Sequence, residues 1–212
     1  MGGLSGLLKI FAIALNLAYL NFLWIIFSLL GLVVFGFFPA TSAMFGVIRK
    51  WFLEDWDLPI FKTFWNLYKK EFIKSNILGY ILFLAGFILY LDIKLVQQMS
   101  NIYMTMVHYF LLMLTFVYVL TIFYVWPVFV HFELSVLQVI KTAFSFMVIS
   151  PYSTIMMAAG GVIFYFTVQQ FPGLLLIFGG SVSTLLIMWS THIAFRRRDQ
   201  KIRQNGKEAT PK

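Results

Sequence analysis

The sequence lacks cysteine, and it has few charged residues. Cysteine is absent from all 212 residues, which excludes disulfides, thiolate nucleophiles and cysteine metal sites. Charged residues make up 11% of the chain, against roughly 25% in ordinary soluble domains. So little charge cannot cover the surface of a water-soluble globule of this size. Because 61% of the residues are hydrophobic, the composition predicts an integral membrane protein.

Five apolar stretches are candidates for transmembrane helices, each of which needs about 20 apolar residues. They cover residues 11–37, 76–91, 109–130, 148–168 and 174–195, and the last two are separated by the turn signal QQFPG at 169–173. The predicted fold class is all-α: a polytopic membrane bundle of about five transmembrane helices plus cytoplasmic interfacial amphipathic helices. One membrane domain covers 1–198, and 199–212 is predicted to be a basic, flexible cytoplasmic tail.

Lysine and arginine are distributed unevenly along the chain. With five spans, Lys9 and Lys94 are the only two of the 16 Lys/Arg residues on one side of the membrane. Because basic loops stay in the cytoplasm, the amino terminus is predicted outside and the carboxyl terminus inside. The net charge of +8 then serves topology and contact with anionic lipid headgroups. We therefore predict no binding of nucleic acid.

Two pairs of short motifs suggest an internal repeat. Phe38-Pro39 and Trp126-Pro127 end spans one and three, and Lys62-Thr63 and Lys141-Thr142 precede spans two and four. If they mark a duplication, 11–91 and 109–168 are parallel copies, the fifth span at 174–195 is an addition, and a pseudo-twofold axis follows the membrane normal. The alternative is a chance match in apolar sequence.

The segment 59–75, PIFKTFWNLYKKEFIKS, carries one aromatic helical face. Its rings recur at helical spacing, while lysines occupy other faces. Two interpretations follow: a helix lying in the headgroup layer, or a docking helix for a partner. The residues concerned are Phe61, Phe64, Trp65, Tyr68 and Phe72, with Lys62 beside them.

A second short helix is predicted at 41–52. Thr41 or Ser42 is the expected N-cap, and Met44, Val47, Ile48 and Trp51 form its apolar stripe. The acidic segment 54–57 between the two short helices is expected to offset nearby lysines and to interrupt the helix before Pro59.

No catalytic, cofactor-binding or metal-binding residues are predicted. The three histidines do not share a metal-ligand spacing, and no Asp, Glu, Lys or Arg lies mid-span, as proton-coupled carriers usually require. The notable intramembrane polar residues are Asn16 and Asn21, which we expect to hydrogen-bond to a neighbouring helix. Small residues at 158–161 and 179–184 favour close helix packing, within the chain or in a homodimer.

One stretch resembles a known family. Residues 36–51, GFFPATSAMFGVIRKW, are similar to the signature of the YesL family, and 20–24, LNFLW, fit it as well. These are Gram-positive bacterial membrane proteins carrying a domain of unknown function, and the resemblance covers about 15–198. It implies a multi-pass protein of the bacterial cell membrane. It also implies a role beside carbohydrate ABC importers, because members are commonly encoded with such permeases and with glycan-degrading enzymes.

Three functions are therefore weighed. The first is a non-enzymatic accessory subunit of a carbohydrate (oligosaccharide) ABC importer, contacting the permease or ATPase subunits. The second is an independent small-solute transporter or channel, favoured by the apparent repeat. The third is a factor in cell-envelope glycopolymer assembly, for which Asp92 is the only outward acidic residue. For the first, the predicted partner interface consists of Pro39, Arg49, Lys50, Trp51, Phe61, Lys62, Phe64, Trp65, Tyr68 and Phe72.

Overall fold

The computed structural model describes residues 2–53, 58–98 and 101–208. Every regular element in these ranges is an α-helix, which confirms the predicted fold class. The acidic segment 54–57 lies outside the described residues. The helices are α1 (Gly2–Leu30), α2 (Phe37–Leu53), α3 (Ile60–Gln97), α4 (Ile102–His131), α5 (Val136–Ile149), α6 (Pro151–Gln170) and α7 (Gly173–Glu208).

Within these described ranges, five helices are long and apolar enough to cross a membrane, as the sequence predicted. They are Leu8–Leu30, Ile60–Gln97, Ile102–His131, Pro151–Gln170 and Gly173–Arg196. The predicted turn at 169–173 is confirmed, since α6 ends at Gln170 and α7 begins at Gly173. The predicted start of span four at 148 is wrong. A proline fits the first turn of a helix, and Pro151 begins α6 after the separate short helix α5.

The first predicted span is too long, because the chain turns back at 31–36. Gly31 and Gly36 are in such close contact that a side chain on either would meet the backbone of the turn. Leu32 and Val33 have positive φ angles of 54° and 62°, a conformation that L-residues rarely adopt. This turn ends α1 at Leu30 and starts α2 at Phe37, so the span predicted to reach 37 is divided.

Two side chains of α3 hold this turn. The hydroxyl of Tyr80 donates to the carbonyl of Val34 at 2.7 Å, and the amide of Asn76 donates to the carbonyl of Phe35 at 3.0 Å. Turn carbonyls without an intrahelical partner need such donors, so α3 fixes the hairpin that α1 and α2 form.

The short helix α2 is the centre of the bundle and contacts α1, α3, α4 and α7. Its predicted apolar stripe is confirmed: Met44, Val47, Ile48 and Trp51 are all buried. The predicted N-cap at Thr41 or Ser42 is wrong, because α2 begins four residues before Thr41. The Thr41 hydroxyl instead donates to the carbonyl of Phe37 within the helix, at 2.7 Å.

Contacts along α2 fix the directions of its neighbours. The indole of Trp24 donates to Thr41 at 3.0 Å, while Gly36 packs on the carbonyls of Phe27 and Ser28. As residue numbers increase from 36 to 41 at the start of α2, the contacted residues of α1 decrease from 28 to 24. The two helices are therefore antiparallel.

The pairing of α2 with α7 has the opposite sense. Met44 meets Thr184 at 3.2 Å, and Phe52 stacks on His192 with 5.7 Å between ring centroids, so these helices are parallel. Since α1 is antiparallel to α2, it is also antiparallel to α7. The amino-terminal end of α1 and the Arg196 end of the fifth span therefore lie at the same end of the bundle, which we call the basic end.

The helix α3 is continuous over 38 residues, so the amphipathic segment 59–75 is not a separate interfacial helix as predicted. Its aromatic face turns inward onto Phe27 of α1. The ring of Phe27 lies 5.3 Å from that of Phe64 and 5.2 Å from that of Tyr68. Aromatic pairs at such distances stabilise beyond their buried area, and here they join α1 to α3.

The two motif pairs behind the predicted repeat fall on different parts of the fold. Phe38-Pro39 lies in the first turn of α2, whereas Trp126-Pro127 lies in the last turns of α4. Lys62-Thr63 begins α3, whereas Lys141-Thr142 lies inside α5. The motifs therefore do not mark equivalent elements, and the pseudo-twofold axis stays a prediction.

Candidate functional site

A polar cleft opens where α2, α3 and α4 meet at the basic end. We call it the basic cleft. Its volume is about 150 Å³, room for a few water molecules or one small oxyanion. It is lined by Ser42, Gly46, Arg49 and Lys50 of α2, by Leu67, Lys70, Glu71 and Lys74 of α3, and by residues 129–133 at and just after the end of α4.

Charge in the basic cleft is mainly positive, with four Lys/Arg side chains against two carboxylates. Lys70 forms ion pairs with both carboxylates, at 3.8 Å from Glu71 and 3.9 Å from Glu133. The Glu133 side chain is 97% exposed, and such exposed, long ion pairs contribute little. The acidic residues therefore neutralise Lys70 weakly, and among the described residues they pair with neither Arg49 nor Lys74.

Arg49 and Lys74 are held in place by uncharged groups. The Nε of Arg49 donates to Nδ1 of His131 at 3.4 Å, so that imidazole nitrogen is an unprotonated acceptor in this arrangement. The ammonium of Lys74 lies over the ring of Phe129, 5.5 Å from its centroid, a favourable cation–π position. Both cations are half-buried at the cleft wall without a carboxylate partner among the described residues.

Part of the predicted partner interface is exposed and forms a second surface. Phe61, Lys62, Trp65 and Lys69 are exposed on the first turns of α3, and we call them the α3 patch. The ammonium of Lys69 lies 4.8 Å from the centroid of the Trp65 ring. Aromatic residues are enriched at protein interfaces, whereas lysine is depleted there, so the exposed Trp65 ring is the feature of this patch that suits docking.

Several residues of the predicted interface lie inside the protein. Pro39, Trp51, Phe64 and Tyr68 are buried, because α2 is surrounded by other helices and the aromatic face of α3 packs on Phe27. Burial removes them from any surface that a partner could reach. Phe72 is half-buried against Tyr68, and Arg49 and Lys50 line the basic cleft.

Asn21 bonds to a neighbouring helix, as predicted. Its amide donates to the carbonyl of Leu176 at 2.7 Å, and its Oδ1 accepts from the N–H groups of Gly180 and Ser181 at 2.9 and 3.2 Å. Asn16 is half-buried, and its side chain bonds to none of the described residues. These two predicted polar residues thus differ: one joins α1 to α7, and the other does not.

Two larger cavities are apolar grooves on the outer faces of the spans. One of about 790 Å³ lies between α3, α4 and α5, and one of about 500 Å³ lies between α1, α6 and α7. Asp92 lines the first groove. Apart from Asp92 and Lys141 in the first groove, the lining residues are uncharged and suit lipid chains. Neither groove has the cluster of cations that distinguishes the basic cleft.

Convergence of α4 with the basic residues was not evident from the sequence. Lys70 and Lys74 are four residues apart and so share one face of α3, a signal that could have been found. The approach of His131 and Glu133 to that face depends on how α3 and α4 pair in three dimensions. No group of three His, Asp or Glu that could hold a metal ion occurs in the described part of the chain.

The fold and these surfaces define the class: an all-helical, multi-pass membrane protein. The family model "Protein of unknown function, DUF624" matches residues 17–93. Three Bacillus subtilis proteins are similar over most of their length. Uncharacterized protein YesL is 39% identical over 88% of both chains, YteU is 36% identical over 85% of this chain and 81% of its own, and YesV is 32% identical over 90% and 92%. The chain therefore belongs to the YesL family, and no solved structure matches it.

Proposed function

We propose that this protein is a non-enzymatic accessory subunit of a carbohydrate ABC importer in the bacterial cell membrane. The α3 patch is the observation that carries the proposal. Phe61 is 52% exposed and Trp65 is 37% exposed, although both rings also contact Phe27, with 6.4 and 5.4 Å between centroids. Trp is among the residue types enriched at interface hot spots, and the exposed Trp65 is therefore the expected anchor, with Lys69 over its ring.

The family resemblance supplies the class of partner. It implies a role beside carbohydrate importers, whose permeases and ATPases meet at the cytoplasmic side of the membrane. The α3 patch lies on the part of α3 nearest the basic end, and this position suits such contact if the basic end is cytoplasmic.

We infer that the basic end faces the cytoplasm and that both termini lie there. The antiparallel α1–α2 hairpin returns the chain before α3 begins, and this supports an inward amino terminus in place of the outward one predicted from the sequence. In this orientation Lys94 is the single one of the 16 Lys/Arg residues of the sequence on the outer side. Lys9 joins the cytoplasmic group, so the arrangement obeys the positive-inside rule more fully than the five-span interpretation did.

Co-purification tests the proposed function. The tagged full-length protein is extracted from its native host in mild detergent, and its permease and ATPase partners are quantified by mass spectrometry. We expect stoichiometric importer subunits with the unchanged protein. The paired change Phe61→Ala with Trp65→Ala should reduce their recovery at least fivefold, because hot-spot aromatic residues dominate such interfaces.

The matched control is Phe83→Ala with Phe87→Ala, which removes two exposed, stacked rings from the apolar part of the same helix. This control should leave importer recovery unchanged. If importer subunits never accompany the unchanged protein, or if both paired variants lose them equally, the proposed docking role is wrong.

A further inference from the structure

We propose that the basic cleft binds a phosphate group, the anionic part of a phospholipid headgroup or of a soluble phosphorylated compound. This site is distinct from the α3 patch and does not depend on the importer role. Its cations come from two helices, and the end of α4 closes its third side. The chemistry is therefore built by the fold and not by one run of basic residues.

Arg49 is the principal ligand. Its hydrogen bond to His131 uses Nε at 3.4 Å, and no acceptor among the described residues bonds to its two terminal nitrogens. A guanidinium held at Nε can present those terminal N–H groups as a pair, and paired donors fit two oxygens of a phosphate. His131 thus orients the guanidinium without consuming its positive charge.

Lys74 supplies a second charge from α3. Its ammonium lies over Phe129 at 5.5 Å, which keeps it at the cleft wall while leaving N–H donors for an anion. Lys70 lies one helical turn earlier and is 68% exposed even with its two carboxylates nearby. A bound phosphate would compete with those carboxylates for Lys70, because both pairs are near the 4 Å limit of an ion pair.

The size of the cleft limits the ligand. A volume of about 150 Å³ admits a phosphate group but not a nucleoside or a sugar in addition, so the rest of the ligand must remain outside. A phospholipid satisfies this condition when its chains stay in the bilayer. A soluble phosphate ester satisfies it when its organic part points away from the cleft.

Binding can be measured on the full-length protein in nanodiscs. Inorganic phosphate is titrated by calorimetry in neutral phosphatidylcholine discs at constant ionic strength. In parallel, native mass spectrometry measures retention of phosphatidylglycerol from mixed discs. The variants are Arg49→Gln and Lys74→Gln. The control is Lys141→Gln, which removes an exposed lysine of α5 that does not line the cleft.

Each variant in the cleft should weaken the binding at least tenfold, while the control should stay within twofold. Saturable binding of inorganic phosphate with this pattern assigns the site to soluble phosphates. Retention of phosphatidylglycerol with this pattern, without binding of free phosphate, assigns it to lipid headgroups. The proposal is overturned if neither probe binds, or if Lys141→Gln weakens binding as much as the cleft variants do.

Folding and docking are controlled separately. Lys74→Gln leaves the bond between Arg49 and His131 intact, so it decides the outcome if Arg49→Gln does not give a monodisperse protein. The cleft variants should still co-purify with importer subunits, and Trp65→Ala should still bind the phosphate probe. Failure of the docking role and failure of the phosphate site would thus be recognised independently.

Discussion

The side chain of Asn21 bridges the backbone of α7 at Gly180. Its Oδ1 accepts from the Gly180 N–H at 2.9 Å, and its amide donates to the carbonyl of Leu176 one turn earlier. These are the two backbone groups that an uninterrupted helix would pair with each other. The Asn21 side chain of α1 therefore satisfies part of the backbone hydrogen bonding of α7, inside a segment apolar enough to span a membrane.

We expect Asn21→Leu to destabilise the protein by about 1–3 kcal/mol, because it removes three interhelical hydrogen bonds. A single interhelical hydrogen bond in a membrane contributes up to about 1.7 kcal/mol. The measurement is the apparent melting temperature in detergent, which should fall by several degrees. Asn16→Leu is the matched control, because Asn16 is half-buried on the same helix and bonds to none of the described residues. Equal losses in the two variants would contradict the bridging role.

Gly180 is predicted to be essential for the approach of α1 to α7. A Cβ at this position would lie 2.9 Å from Asn21 Oδ1, 3.1 Å from Met44 Cε and 3.3 Å from the Trp24 ring. Gly180→Ala should therefore cost about 1–3 kcal/mol by overpacking, visible as earlier unfolding in a thermal scan.

The control for this change is Gly161→Ala. Nothing lies within 4 Å of a Cβ at Gly161, so alanine there should be neutral or should stabilise α6 by up to about 1 kcal/mol through helix propensity. If both alanine variants unfold at the temperature of the unchanged protein, the contact at Gly180 is looser than the structure shows.

Helix content and most span positions could be predicted because they depend on local apolar runs and on Pro-Gly signals such as the one at 172–173. The division of the first span could not. The stretch GLVVFG at 31–36 is apolar throughout, and its turn depends on contact between two glycines and on donors from α3. The direction of α1, and with it the side of the amino terminus, depends on that turn.

The candidate sites were predictable to different degrees. The cations Arg49 and Lys50 and the exposed rings of α3 were evident in the sequence. Which rings of one helical face would be buried depends on tertiary packing, since Phe27 contacts exposed rings such as Trp65 as well as buried ones such as Phe64. The basic cleft depends on His131 at the end of α4, so it required the tertiary structure.

The residues with positive φ in the α1–α2 turn give a prediction of increased or unchanged stability, unlike the losses expected at Asn21 and Gly180. Val33 is β-branched and has a φ of 62°, a conformation that costs an L-residue roughly 1–2 kcal/mol. Val33→Gly should therefore be neutral or should raise the apparent melting temperature, even though glycine loses more backbone entropy on folding. The control Val34→Gly removes no residue with a positive φ, so it should lower the apparent melting temperature. A larger loss for Val33→Gly than for Val34→Gly would show that the turn differs from this structure.

The inferred side of the amino terminus can be tested by single-cysteine labelling, which the absence of native cysteine makes free of background. Cysteines are placed at Lys9 and Arg196 near the basic end, and at Gln98 and Gln170 near the other connections. All four side chains are exposed. In intact cells, a membrane-impermeant maleimide should label positions 98 and 170, while positions 9 and 196 should react only after permeabilisation.

This pattern follows from the antiparallel pairing of α1 with both α2 and α7. Position 9 is the decisive one, because five spans without the returning helix α2 would place it with 98 and 170. Labelling of position 9 in intact cells, with 196 protected, would restore an outward amino terminus and would mean that the α1–α2 hairpin is not the form present in the membrane. Protection of both ends would establish that the chain returns through α2, and it would place the basic cleft and the α3 patch at the cytoplasmic surface.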